Sequence, residues 1–256
     1  MSQINATIKK DLLGLTRTFR FILIIGIGLF TAIVNPLTLK YMGELLKLLQ
    51  VPESMLDSFP KPDLAMGLTN VYSELTDLGL LVILLAIMSF IGGEQKKKLL
   101  TMPITKGLTL NSYVISKFIL FPLLGFLFGF VFSLIGYTIS INMFEGSIPL
   151  INVIGSSALV GLELMFVVSL AVMIGILTSR PGIGVTIIYV SRLTLVTLLT
   201  AIGYNRFNPF ALSIYGSMFN FAELSEVIIS VCITIVSIIL LFVITLIRTN
   251  KRTLKY

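Results

Sequence analysis

The sequence predicts an all-α, polytopic membrane protein with six transmembrane helices, and three observations predict it. Charged residues fill only 12% of the 256 positions, against 56% hydrophobic; that is about half the charged share a water-facing surface requires. The mean hydropathy is +1.01, and several apolar runs exceed the roughly 18 residues that cross a hydrocarbon core. Finally, the basic residues gather in short segments beside those runs, which is how flanking charges orient membrane helices.

The spans are expected at 21–39, 78–92, 118–140, 151–178, 183–203 and 227–247 within one transmembrane domain covering 1–256. Thr69–Asp77 can continue the second span outward as helix. One set of flanks carries Lys9, Lys10, Arg17, Arg20, Lys96, Lys97, Lys98, Lys106, Lys117, Arg180, Arg248, Lys251, Arg252 and Lys255. The opposite set has only Lys40, Lys47, Lys61 and Arg206, among nine acidic residues that include Glu74 and Asp77. A bias of fourteen basic residues to four places both termini in the cytoplasm.

Residues 1–20 are too polar, with Asp11 among them, for a cleaved signal peptide. Ile8, Leu12, Leu15 and Phe19 recur at spacings of four, three and four, with Arg17 and Arg20 elsewhere around the helix. That pattern predicts an amphipathic interfacial helix on anionic lipid. On the other face of the membrane, 41–50 reads as amphipathic before the turn residues Pro52, Pro60 and Pro62. Asn205–Glu226 is apolar and aromatic, and Pro209 and Gly216 divide it into pieces too short to cross. It predicts a short re-entrant segment before the sixth span, a form tolerated where protein or water covers the backbone.

Composition excludes several function classes. Cys232 is the only cysteine and there is no histidine, so neither a disulfide framework nor a His-based triad or metal site is expected. No GxxxxGK[ST] run exists to cradle a nucleotide phosphate. No soluble stretch is long enough to present a basic face to nucleic acid.

The most informative stretch is the cytoplasmic segment 93–117. Glu94 precedes Lys96, Lys97 and Lys98; Pro103 then breaks the helix in Leu-Leu-Thr-x-Pro-Ile-Thr-Lys, and Lys117 opens the third span. This order resembles the type-2 ABC transporter permeases. The resemblance extends to the amphipathic helix with Arg17, to Asn35-Pro36, to the six-span layout and to the apolar segment before the last span. Lys97-Lys98-Leu99 stands where many members carry a Gly-Thr pair.

The resemblance implies a coupling helix seated on a separate ABC ATPase, present in two copies. Glu94, Lys96, Lys97, Lys98, Thr101, Pro103 and Lys106 are then the candidate contacts. It also implies a second permease, identical or paralogous, in a bacterial cell membrane. ATP and magnesium would be bound by the partner ATPase, and no cofactor by this chain. The implied cargo is hydrophobic or amphipathic: a peptide or bacteriocin, a drug or a lipid. Anchoring of Lys96–Lys98 to anionic lipid is the simpler role for those charges.

Glu163 and Arg192 fall deep in spans, where each charge is costly without a partner. Their heights above the turn at Pro181 differ by roughly 10 Å, so the two are expected to pair between neighbouring helices, either as a structural lock or along a pathway. No lysine is expected inside a span. Gly125 and Gly129 form a GxxxG step read as helix packing. Two other classes stand beside the exporter. An intramembrane hydrolase lacks a base to activate a serine. A non-transporting scaffold or immunity protein would carry no ATPase.

Overall fold

The computed structural model describes residues 3–49, 61–96, 107–178, 181–219 and 224–253. All regular structure among them is helical. The helices are α1 (Gln3–Thr16), α2 (Phe19–Lys40), α3 (Met42–Leu48) and α4 (Leu64–Glu74). A π-helical turn, Leu75–Gly79, joins α4 to α5 (Leu80–Lys96). There follow α6 (Leu110–Ser140), α7 (Leu150–Leu177), α8 (Pro181–Ile202), the short α9 (Leu212–Gly216) and α10 (Leu224–Thr253).

Six helices are long and apolar enough to cross a membrane: Phe19–Lys40, Leu64–Glu94, Leu110–Ser140, Leu150–Leu177, Gly182–Ile202 and Leu224–Lys251. Their order is that of the six expected spans; the first, second, third and sixth are longer than expected, and the fourth and fifth are shifted by one residue. The second is the most extended, because α4 and α5 form one continuous rod through the π turn. The third starts at Leu110, so Lys117 stands seven residues inside the helix rather than at its mouth.

Local chemistry sets several ends. Asp63 Oδ1 accepts from Met66 N at 2.7 Å and starts α4; Thr109 Oγ1 accepts from Ser112 N at 3.2 Å and starts α6. Both are side-chain caps for otherwise orphaned N–H groups. Gly203, at φ +77°, stops α8, and Tyr204 N reaches back to Leu199 O at 2.9 Å, the closing bond of a glycine-terminated helix.

The α4–α5 rod, α6 and α7 make the centre, and α2, α8 and α10 line its outside. In α7, 72% of the apolar window is buried; in α10, 11% is. The tightest seam joins α6 to α7. A Cβ on Gly129 would stand 2.9 Å from Gly161 Cα, and one on Gly161 would stand 2.8 Å from the Phe126 carbonyl oxygen. Gly125 faces Leu164 O and Val168 in the same way. In a membrane, where apolar burial between helices gains little, such backbone contact is what holds two helices together.

Candidate functional site

Two clusters of charged side chains are closed inside the helices. The first joins α1, α5 and α6. Lys117 Nζ lies 2.6 Å from Glu94 Oε2 and 2.9 Å from Asp11 Oδ2. Lys10 Nζ lies 2.7 Å from Glu94 Oε1 and 3.2 Å from Asp11 Oδ1. Tyr113 OH donates to Glu94 Oε2 at 3.2 Å. The side chains of Lys117 and Asp11 have no exposed surface, while that of Lys10 is half exposed. The Lys117 ammonium also sits 4.8 Å from the Phe90 ring centroid, 5.0 Å from Tyr113 and 5.4 Å from Phe121. Two carboxylates and three ring faces thus replace the water this ammonium gives up.

The two carboxylates are not equivalent. Glu94 accepts directed hydrogen bonds from Lys10, Lys117 and Tyr113. Asp11 has both oxygens at ion-pair distance from a lysine, yet neither accepts a well-aligned hydrogen bond. Burial raises the Asp11 pKa above its ordinary value, and the Lys117 charge opposes this only in part. For Lys10, burial alone lowers the pKa; the hydrogen bond to Glu94 and the nearby carboxylates outweigh it and leave the value raised.

A second fastening lies one end of α1 away. Gln3 Nε2 donates to Gly107 O at 2.9 Å, and Gln3 Oε1 accepts from Thr109 N at 3.2 Å and from Ser112 Oγ at 3.2 Å. Helix α1 therefore grips both flanks of segment 97–106: the Glu94 side through Lys10, and the Gly107–Lys117 side through Gln3 and Asp11.

The second cluster lies among the spans. Arg192 Nε and Nη2 both donate to Glu163 Oε1, at 3.1 and 3.0 Å. Arg192 Nη1 donates to Asp77 Oδ1 at 2.6 Å. The second Glu163 oxygen accepts from the backbone N–H of Ser213 at 2.8 Å. Glu163 is wholly buried midway along α7, so α7, α8 and α9 meet at one carboxylate, and the π turn joins them through Arg192. Asp77 belongs to the π turn, the kind of local irregularity that re-aims side chains at special sites.

Among the residues singled out from the sequence, Glu163 and Arg192 are in contact, and Glu94 is at the centre of the first cluster. Arg20 stacks its guanidinium 5.8 Å from the Phe90 ring centroid, and Arg17 is exposed. Lys96 closes α5. Lys97, Lys98, Thr101, Pro103 and Lys106 lie outside the described residues. Sequence reasoning missed Asp11, Lys117, Lys10, Gln3 and Asp77 as partners. The inward face of α1 is Thr7, Asp11 and Leu15, whereas Leu12 and Phe19 of the expected stripe are exposed. An acid at i+4 from Thr7 and at i−4 from Leu15 was the available signal, since those three share one face. Against the expectation that no lysine enters a span, Lys117 is fully buried in α6.

Among the described residues no group of three or more His, Cys, Asp or Glu could hold a metal ion. The two clusters are charge-balanced or nearly so, and their groups are bonded to one another. What the first can do is bind three helix ends into one body.

These features define a multi-pass α-helical membrane protein. No protein-family model, curated protein or solved structure matches the chain.

Proposed function

We propose that this chain is the membrane-spanning permease of an ATP-driven ABC exporter, working as a pair with a second permease over two copies of a separate ATPase. The observation that supports it most is the Lys10–Asp11–Glu94–Lys117 cluster. A soluble partner pushing on segment 97–106 would move Glu94 and Lys117 together, and through them α1, α5 and α6. A segment tied at both flanks transmits motion; one tied at neither would absorb it.

In this reading both termini and segment 93–117 face the cytoplasm of a bacterial cell, and α1 lies along the inner membrane surface. The chain between α8 and α10 dips back into the membrane. The Ser213 N–H bond to Glu163, midway along a span, supports that dip. The cargo is hydrophobic or amphipathic, and the Glu163–Arg192–Asp77 cluster locks the helices rather than contacting cargo.

The test is purification of the full chain from its native membrane in mild detergent, followed by ATPase assay. A co-purifying ATPase whose hydrolysis responds to Glu94→Gln or Lys117→Met, with the complex still assembled, is the expected result. Absence of any ATPase, together with transport unaffected by changes across 94–106, would instead identify a non-transporting scaffold.

A further inference from the structure

At the end of α2 remote from α1, a half-open crevice of about 230 Å³ separates α2 from α4. Its polar lining is Asn35 and Thr38 on one side and Asn70, Ser73 and Glu74 on the other. Leu39 and Met42 complete the wall, so among the described residues no aromatic ring and no basic side chain lines it. Glu74 makes no ion pair among the described residues, in contrast to Glu94, Glu163 and Asp77. The Thr38 hydroxyl already donates to Val34 O at 2.8 Å, which leaves its lone pairs as acceptors. The Asn35 amide nitrogen has no acceptor among the described residues and no surface open to the crevice.

The chemistry narrows the occupant. One carboxylate surrounded by amide and hydroxyl oxygens favours a cation that donates hydrogen bonds. A bare metal ion is a poor match, because several oxygens would have to close to about 2.0–2.6 Å in a space holding roughly seven waters. A quaternary ammonium donates nothing and calls for ring faces that this crevice lacks. A primary ammonium fits Glu74 and the amide and hydroxyl oxygens beside it. We propose that the crevice between α2 and α4 binds a primary ammonium, of the ethanolamine type, with Glu74 as counter-ion. A lipid headgroup and a free amine share this chemistry. The proposal does not depend on the exporter reading.

The probes are ethanolamine and choline, added to the purified full chain in detergent and read by thermal unfolding. Ethanolamine should raise the midpoint and choline should not. Glu74→Gln should weaken the ethanolamine effect about tenfold or more in concentration, the loss of one charge-assisted hydrogen bond. Asn35→Leu gives a second reading through a separate residue and should weaken it less. Equal shifts from ethanolamine and choline, or full shifts in Glu74→Gln, overturn the proposal. Native mass spectrometry from mixed phosphatidylethanolamine and phosphatidylcholine vesicles separates the sources. Glu74-dependent retention of phosphatidylethanolamine assigns the site to a headgroup. A Glu74-dependent shift with free ethanolamine but without lipid retention assigns it to a soluble amine.

Discussion

Lys117 Nζ stands 2.6 Å from Glu94 Oε2, and these two residues bracket segment 97–106 from α5 and α6. Twenty-three positions apart in sequence, they close the segment into a loop whose ends cannot move independently. Removing one partner leaves the other with a single opposite charge, Asp11 for Lys117 or Lys10 for Glu94, so the cost is at most the roughly 3–5 kcal/mol of a fully stranded buried charge. Lys117→Met should therefore lower the unfolding midpoint of the detergent-solubilised protein sharply, and Glu94→Gln should do so nearly as much. The double variant should lose much less than the sum of the two, as coupled neighbours do. Additive losses would show that the pair is not coupled.

Asp11→Asn should be milder than Glu94→Gln, because Asp11 makes ion-pair contacts without directed hydrogen bonds. Its folded-state pKa is raised above the ordinary 3.8, with burial as the main cause. Between those two values the folded protein keeps a proton that the unfolded chain has lost. The sign follows: this contribution to stability is complete below the unfolded pKa and is lost as pH rises through the folded one. Unfolding midpoints measured upward from about pH 4 should fall in the wild type relative to Asp11→Asn.

The Arg192 cluster separates its two carboxylates by burial. Glu163→Gln should cost several kcal/mol, about 3–5 for a stranded interior charge. The Asp77 side chain is 45% exposed, so solvent screening limits Asp77→Asn to at most about 1 kcal/mol. Charge reversal of both Glu163 and Arg192 should recover part of what either single reversal loses. Recovery should improve when Asp77→Asn is added, since a glutamate at 192 would otherwise face Asp77. Unfolding in detergent measures all six variants, and no recovery in any combination would refute the pairing.

Gly129→Ala should destabilise by roughly 1–3 kcal/mol, an overpacking penalty. Its new methyl would meet Gly161 backbone atoms at 2.9–3.0 Å, and backbone cannot move aside as a flexible side chain can. Gly26→Ala, where a Cβ meets nothing within 4 Å, is the matched control and should be neutral.

Span number and order were legible because hydropathy is a local property: twenty apolar residues in a row cross a membrane whatever their neighbours are. The Glu163–Arg192 contact was legible for a related reason. Two isolated charges in apolar helices have few other ways to be accommodated. Lys10, Asp11 and Lys117 were not legible, because a charged residue near a span end reads as a solvated flank. Only the docking of α1 across α5 and α6 takes Asp11 and Lys117 out of water.

By itself the sequence determined an all-helical membrane chain of six apolar segments, the absence of a nucleotide loop, and two interior charges in need of partners. The tertiary structure alone decided which helices are neighbours. That brought Asp77 to Arg192, Ser213 to Glu163, and Lys10 and Gln3 to the two flanks of one short segment. The physical reason is range. Hydropathy and helix period act within about one helix of sequence. An ion pair or a glycine seam exists only once residues from distant segments are brought within a few ångströms.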